Sequence, residues 1–324
     1  MRPALASVRL AHQNSPMDQA RELEWLTQSA GIVALDDRAI VSVGGDDAHD
    51  WIQGQVTNQV EGVPAGGSVY AFVLTLKGRT LADVYVLMGD YEVLLDVPKA
   101  QVDSLLARLE RYIIMEDVDL EHRPDLGLLA AVGPLAHEVG EGGWPADRLG
   151  VGGRQWVVPT DALSSERDRL IARCHALGGG LVGEKTWRYA HVLLGRPLFG
   201  IDFGDWTYPQ ETGLNELAVS FKKGCYIGQE TVVMLQNRGK APKVLWRWAI
   251  EGRDPPEAAT PILHGETVVG EITSAVTEGD RSLALGFLKR GHEGQGPEGF
   301  SVAGRPARAL GPVAGGPGLG VSSA

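Results

Sequence analysis

The sequence predicts an α+β fold of several domains that ends in a β-barrel. One observation is a hairpin pattern at 77–79, where Lys-Gly-Arg separates two apolar strands that precede an amphipathic helix. Another is a set of short alternating strands at 244–250 and 266–288, a pattern typical of a barrel. The chain also has 324 residues, which is enough for two or three domains with a sizeable core.

The chain begins with an expected disordered extension over residues 1–16. Residues 17–30 predict the first helix, because Leu23 and Leu26 lie on its inward side. Two short strand-like runs follow it, at 32–35 and 40–43.

A short helix is predicted over 47–53, capped by Asp46 or Asp47 and stopped at Gly54. Three strands of a sheet follow, at 69–76, 82–87 and 91–97. Pro98 should begin the clearest helix, because apolar residues then repeat at helical spacing. These residues are Val102, Leu105, Leu106, Leu109 and Ile113.

These patterns divide the chain into three predicted domains. Residues 17–120 together with 186–243 should form an α+β core, and residues 121–185 a small α+β middle domain. The barrel should span 244–310. The Gly-, Pro-, Ala- and Ser-rich residues 311–324 predict a flexible tail.

Composition points to an ordinary soluble globular protein, with 44% hydrophobic and 22% charged residues. No apolar run approaches the roughly 18 residues of a membrane span, and the first residues lack a signal-peptide core. We therefore predict a cytoplasmic protein with no membrane partner. The net charge of −11 makes a nucleic-acid partner an unfavoured expectation, because such binding needs a positive surface.

The two cysteines occur in different patterns. Cys174 shares an apolar helical face with Leu170, Ile171 and Leu177, which predicts a core residue. Cys225 has no such periodicity around it. Neither cysteine has a partner at CxxC spacing, and the histidines form no HExxH pattern, so no protein-only metal site is predicted.

Cys225 stands between two glycines and directly follows Lys222, Lys223 and Gly224 in the chain. A helix is expected to open near Gly228 and to end at 238–239. The positive end of a helix and neighbouring ammonium groups both favour thiolate over thiol. A lone cysteine is more often a small buried hydrophobe, but this setting instead favours a reactive sulfur.

The segment 223–230, Lys-Gly-Cys-Tyr-Ile-Gly-Gln-Glu, resembles the signature of the YgfZ family. These are folate-binding proteins implicated in iron–sulfur cluster assembly and related to the glycine-cleavage T protein, an aminomethyltransferase. Further similar stretches lie at 45–58, 209–214 and 264–274, so the likeness covers most of residues 20–290. The resemblance implies a T-protein-like folate-binding multidomain fold with a C-terminal β-barrel.

The resemblance also implies a set of site residues. Cys225 would be the essential, catalytic thiolate, which Lys223 would keep ionised. Glu211 matches a residue that contacts the pterin of the folate, and Asp83 matches an acidic residue near its N10 atom. The cofactor would be tetrahydrofolate or a one-carbon derivative of it. The complete predicted folate-binding set is Asp83, Glu211, Lys223, Gly224, Gln229 and Arg238.

The chain departs from the family pattern at three places. Ala82 stands where T-protein relatives carry a first aspartate before the one matched by Asp83, which argues against aminomethyl transfer. Met234 stands where YgfZ-type sequences carry an arginine. The run 191–194 stands where relatives have Arg and often Glu.

Charge along 221–247 opposes the acidic balance of the chain. Six Lys and Arg residues there meet only one acidic residue, Glu230. Such a run can be a solvated surface, but its coincidence with the cysteine segment favours an anionic ligand. Folate fits because its glutamate carboxylates pair with cations, and RNA is the weaker alternative.

The expected function is a tetrahydrofolate-dependent factor that assembles or repairs iron–sulfur clusters in client enzymes through Cys225. Its partners would be folate and iron–sulfur client enzymes or cluster-assembly proteins. The sulfur could ligate iron, exchange disulfides or react with a folate-borne one-carbon unit, so the resemblance leaves enzyme activity open. The alternatives are a folate-dependent aminomethyltransferase or demethylase, which needs no cysteine, and a folate-binding scaffold without chemistry.

Overall fold

Two five-stranded sheets and a closed six-stranded barrel are present in the computed structural model, which describes residues 16–238 and 241–313. The helices are α1 Pro16–Gln28, α2 Ala48–Gln53, α3 Val102–Leu109, α4 Leu163–Ala176, α5 Glu184–Leu194, α6 Asn215–Ala218 and α7 Gln229–Arg238. The strands before the barrel are β1 Gly31–Ala34, β2 Arg38–Gly44, β3 Ser68–Leu74, β4 Thr80–Met88, β5 Val93–Pro98, β6 Asp119–His122, β7 Leu126–Val132, β8 Trp144–Pro145, β9 Gly153–Pro159 and β10 Gly180–Leu181. The barrel strands are β11 Lys243–Glu251, β12 Pro261–His264, β13 Thr267–Glu278, β14 Arg281–Lys289, β15 Phe300–Val302 and β16 Arg305–Pro312.

The first sheet has the strand order β3-β4-β5-β2-β6, with every neighbouring pair antiparallel. Its hairpin β3–β4 turns through Gly78, whose φ of 74° is a left-handed conformation that glycine adopts freely. The hairpin prediction is therefore confirmed. One face of the sheet packs against α2 and α3 in a core cluster that includes Ile52, Val84 and Leu105.

The second sheet has the order β10-β1-β7-β9-β8. Helix α4 packs on it through Leu170 and Cys174, and Cys174 is fully buried as its helical spacing predicted. Burial raises the pKa of the Cys174 thiol to about 12. The sheet takes β1 from the segment ahead of the first sheet, while β6 at 119–122 pairs with β2. The predicted boundary between residues 120 and 121 thus falls inside a strand.

The barrel closes in the order β11-β14-β13-β12-β15-β16, which confirms the predicted C-terminal β-barrel. Trp248 and Ile272 are buried in its interior with Phe300, whose ring meets that of Trp248 edge to face at 5.1 Å. Because closure pairs both edges of the sheet, the barrel has no exposed edge strand of its own.

Two predicted helix starts differ in detail. Asp47 occupies the N-cap of α2, but its carboxylate accepts a hydrogen bond from the backbone N–H of Asp117 at 2.7 Å instead of capping the helix. After Pro98 the chain first makes a 3-10 turn, Lys99–Gln101, and only then enters α3. In α2, the backbone N–H of Asp117, 70 positions further along the chain, thus takes the carboxylate that was predicted to cap the helix.

Two of the predictions concern the ends of the chain. The expected N-terminal extension lies outside the described residues except for Pro16, which opens α1. The tail was expected from residue 311, but β16 continues to Pro312. Val313 is buried, and its N–H donates to the carbonyl of Leu245 at 2.9 Å. The remaining tail residues lie outside the described chain.

In the described residues, no helix is both long enough and apolar enough to cross a membrane.

Replacing Val313 by Ala should lower the free energy of unfolding by about 2 kcal/mol, because two buried methyl groups leave the barrel wall. Urea denaturation measures this change. Leu310→Ala is the matched control, since Leu310 is 41% exposed and its loss should cost less than about 0.5 kcal/mol. Equal destabilisation by both substitutions would contradict the burial of Val313.

Candidate functional site around Cys225

Cys225 is exposed in a loop that ends where α7 begins at Gln229. The helix predicted after the cysteine is therefore present. The neighbouring Lys222 is also exposed, whereas Lys223 and Tyr226 are buried. The loop thus alternates between side chains that anchor it and a thiol that meets solvent.

Lys223 anchors the loop from inside. Its Nζ lies 2.5 Å from the carbonyl oxygen of Gln53, 2.7 Å from that of Val56 and 2.9 Å from that of Asn58. Desolvation by burial lowers the pKa of Lys223 to about 8. The ammonium also lies 5.3 Å from the ring centroid of Tyr226. All of its hydrogen bonds go to backbone carbonyls of 53–58, so the thiol of Cys225 receives none of them.

Further hydrogen bonds join the same two parts of the chain. They are Ile227 N–H to Gly54 O at 3.3 Å, Ser220 N–H to Thr57 O at 3.0 Å, Thr57 Oγ1–H to Ala218 O at 2.6 Å and Asn58 Nδ2–H to Leu217 O at 2.9 Å. The predicted motif at 45–58 and the cysteine segment are therefore one structural unit.

The β3–β4 hairpin turn contacts the loop from a second side. A Cβ added to Gly78 would lie 2.7 Å from Cβ of Thr231, and one added to Gly228 would lie 2.7 Å from the carbonyl oxygen of Thr75. Both glycines also have positive φ. Glycine is required at both positions by space as well as by backbone conformation.

Three other predicted site residues lie along this loop and helix. A Cβ at Gly224 would meet no atom within 4 Å, so the protein itself makes no close approach there. Gln229 opens α7, and its Nε2 lies 3.5 Å from the carbonyl oxygen of Gly224. Arg238 ends α7, and its side chain lies outside the described part of the chain.

Glu211 is buried at the end of the 3-10 turn Pro209–Glu211. Its Oε2 accepts a hydrogen bond from the Tyr208 N–H at 2.8 Å and lies 3.7 Å from Nη1 of Arg79. Burial raises the pKa of Glu211, although the Tyr208 N–H, Lys243 and Arg79 act in the opposite direction. The carboxylate therefore lies beside the hairpin that also contacts the cysteine loop.

Asp83 lies on β4, on the same face of the first sheet as Tyr70 of the neighbouring strand β3. Its carboxylate accepts hydrogen bonds from Nη1 of Arg38 at 2.7 Å and from the Tyr70 hydroxyl at 3.0 Å. Burial and Asp83 both raise the pKa of Tyr70 well above its ordinary value, so the phenol keeps its proton. Ala82 points to the opposite face and is fully buried in the helix-covered core.

Arg38 extends this pairing to a buried network. Its Nε also donates to Oδ1 of Asp96 at 2.6 Å, and Arg148 donates to the other oxygen of Asp96. Burial alone would raise the pKa of Asp96, but Arg148 and Arg38 outweigh it and lower that pKa. Asp83 is thus part of a buried ion network, and within the described residues its carboxylate binds Arg38 and Tyr70 rather than Glu211 or the Cys225 loop.

A polar cluster that sequence reasoning missed surrounds His191. The Nδ1 of this buried ring donates to the carbonyl of Arg196 at 2.7 Å, because a carbonyl can only accept. Within the described part of the chain, its Nε2 then has no hydrogen-bond partner, and neither do Nη1 of Arg196, Nε of Arg148 and Nε2 of Gln155. The sequence marked the run 191–194 only as a departure, since a lone histidine in an apolar helix carries no pattern of its own.

These unpaired atoms bear on whether folate fits. A pterin edge presents both donors and acceptors, and buried polar groups need partners. Within the described residues, the side chains of Gln210, Thr80 and Tyr226 also hold buried oxygens without a hydrogen bond. Buried polar atoms of this kind fit the donors and acceptors of a pterin edge. Two surface cavities of about 420 and 370 Å³ lie elsewhere and contact none of the predicted site residues.

The basic run at 221–247 is less open than its composition indicated. Lys223 is enclosed by carbonyls, and Arg247 is half-buried with Nη2 donating to the Leu193 carbonyl at 2.8 Å. Lys243 lies 3.9 Å from the Phe287 ring centroid and 3.7 Å from a carboxylate oxygen of Glu271. Among the described residues of this run, Lys223 and Arg247 are therefore largely internal and Lys243 is partly enclosed, so these three charges do not join into one positive surface.

No group of three or more His, Cys, Asp or Glu side chains in the described chain is arranged to hold a metal ion.

The fold is that of the glycine-cleavage T protein. A crystal structure of the glycine cleavage system aminomethyltransferase T from Bartonella henselae aligns with a TM-score of 0.78 over 91% of this chain and 88% of that one, at 17% identity. The family model of the GCVT N-terminal domain matches residues 11–142. The T-protein-like fold predicted from the sequence is confirmed.

Within that class, the sequence is similar to proteins named tRNA-modifying protein YgfZ. The Klebsiella pneumoniae protein is 26% identical over 244 residues, covering 70% of this chain and 74% of its own. The Yersinia enterocolitica protein is 24% identical over 234 residues, covering 66% and 69%. The Colwellia psychrerythraea protein is 23% identical over 230 residues, covering 66% and 70%. The predicted resemblance to YgfZ is therefore confirmed.

His191 should make stability depend on pH. Burial lowers its pKa from 6.5 to about 3, so the unfolded chain binds one more proton between these values. The free energy of unfolding is therefore lost as pH falls through this window, by about 1.4 kcal/mol per pH unit from this ring. His191→Gln should remove that slope, measured by urea denaturation from pH 6.5 to about 4.

His175→Gln is the matched control, because His175 is an exposed residue of α4 and its replacement should leave the slope unchanged. Identical slopes in the wild type and in His191→Gln would contradict the assignment.

Proposed function

We propose that this protein is a folate-binding factor that assembles or repairs iron–sulfur clusters on client enzymes, with Cys225 as the reacting group. The observation that carries the proposal is an exposed thiol on a loop held by buried contacts on two sides. The similarity to YgfZ proteins and the GCVT domain match support a folate-binding function of this type.

Tetrahydrofolate, or a one-carbon derivative, is the proposed cofactor. Glu211, which is buried beside Arg79 of the hairpin, would hold the pterin edge. When bound, the cofactor supplies or accepts a one-carbon unit. The protein's part is to bind the pterin away from water and to keep the carboxylate of Glu211 beside it.

Aminomethyl transfer is the less favoured alternative. That reaction needs a carboxylate free to hold the folate amine and direct a proton. Asp83 is paired with Arg38 and Tyr70, and Ala82 offers no carboxylate. An assembly role in the cytoplasm, acting on client enzymes or with cluster-assembly proteins, is consistent with this arrangement.

An RNA substrate is a second candidate, because the relatives are named tRNA-modifying proteins. Lys77 and Lys222 are exposed beside the Cys225 loop and could meet phosphates. The enclosed charges of Lys223 and Arg247 weigh against a broad RNA surface. We therefore place a cluster-carrying client ahead of a direct RNA substrate.

Cells that lack this protein and receive its Cys225→Ala form should keep low activities of iron–sulfur enzymes, because no other exposed cysteine is present to replace the thiol. Cys174→Ala is the matched control and should restore activity, provided that both proteins are equally abundant. Rescue by Cys225→Ala equal to the wild type would contradict a role for the sulfur.

Glu211→Gln should weaken tetrahydrofolate binding by about tenfold or more, because a charge-assisted hydrogen bond becomes a neutral one. Gln keeps an acceptor for the Tyr208 N–H, so the turn should remain folded. Isothermal titration measures the dissociation constant. Glu216→Gln, at an exposed position of α6, should bind as the wild type does, and equal affinities in all three proteins would contradict the role of Glu211.

A further inference from the structure

The side chain of Lys223 is the central contact between the Cys225 loop and the segment 53–58. We propose that Lys223 is a positioning residue, whose ammonium fixes the Cys225 loop by binding the carbonyls of Gln53, Val56 and Asn58. This deepens the proposed function, on which it rests only in taking Cys225 as the reacting group.

The geometry separates this role from activation of the thiol. A lysine ammonium has three N–H donors and no acceptor. The three carbonyl oxygens at 2.5, 2.7 and 2.9 Å use all of them. None of these donors is left to hydrogen-bond the sulfur of Cys225. Lys223 therefore acts on Cys225 through the loop backbone.

The carbonyls converge for a local reason. Helix α2 ends at Gln53, and the last carbonyls of a helix have no partner within it. A cation near such an end is favourable because the helix dipole is negative there. Val56 bridges to Val73 of β3, which holds the following backbone in place. The motif at 45–58 thus forms a binding site for one ammonium group.

The β3–β4 hairpin contacts the Cys225 loop at a second point. Gly228 lies against Thr75 and Gly78, at the opposite end of the loop from Lys223. Cys225 lies between these two anchors and is exposed. A fixed backbone with a solvent-facing thiol limits the positions that the sulfur can occupy when a partner approaches.

The test compares Lys223→Met, Lys223→Arg and Lys222→Met in the full chain. Lys222 is the matched control because it is the exposed neighbour in the same loop. Two quantities are measured: amide hydrogen exchange along the chain, and the pH midpoint of Cys225 alkylation by iodoacetamide, read at the peptide level.

Lys223→Met should raise exchange by about tenfold or more at 53–58 and 220–228 together, and leave α4 and the barrel unchanged. Its alkylation midpoint should stay that of the wild type. Lys223→Arg should behave like the Met variant, because a planar guanidinium cannot direct three donors to these converging carbonyls. Lys222→Met should change neither measurement.

Three results would overturn the inference. One is a raised alkylation midpoint in Lys223→Met with normal exchange, which would make Lys223 an electrostatic activator. Another is full restoration by Lys223→Arg, which would show that charge alone suffices. The third is faster exchange throughout the chain, which would make the role one of general stability. Neither measurement uses an iron–sulfur enzyme, so failure here and failure of the proposed function are distinguishable.

Discussion

The buried ion network of Arg38, Asp83, Asp96 and Arg148 is the constraint on which the arrangement of the two sheets depends. Arg38 and Asp96 lie on neighbouring strands of the first sheet, while Arg148 comes from the loop between two strands of the second. Burying charges costs solvation energy, and the loss of one partner in such a pair typically costs about 3–5 kcal/mol. The two sheets can therefore pack only where every one of these charges finds its partner.

The same network also fixes the surroundings of Asp83. Alternation along β4 sends Ala82 into the helix-covered core and Asp83 to the face that holds Tyr70 and Arg38. A carboxylate already bound by a guanidinium and a phenol is not free to hold a folate amine. Asp83 thus ties neighbouring parts of the first sheet together, and Cys225 is the exposed thiol of the described chain.

The Cys225 loop is held by buried side chains but keeps its cysteine exposed. Its neighbours Lys223 and Tyr226 are buried, Gly228 admits the hairpin turn, and the thiol of Cys225 faces solvent. Hydrogen bonds between 217–227 and 54–58, from backbone and side-chain donors, hold this short loop in place. Such a loop can present a sulfur to a macromolecular partner without rearranging, which suits the proposed assembly or repair of a cluster on a client enzyme.

The sequence by itself determined the elements whose signals are local: the Gly78 hairpin, the helix after Cys225, the buried face around Cys174 and the alternating barrel strands. It also carried the motif resemblance, because eight residues at fixed spacing are specific. Only the tertiary structure decided that Lys223 binds carbonyls about 170 positions earlier, that Asp83 pairs with Arg38, that β1 joins the second sheet and that His191 is buried among unpaired donors. These contacts join residues far apart in the chain, and neither periodicity nor residue type at one position indicates which distant partner will satisfy a buried charge or carbonyl.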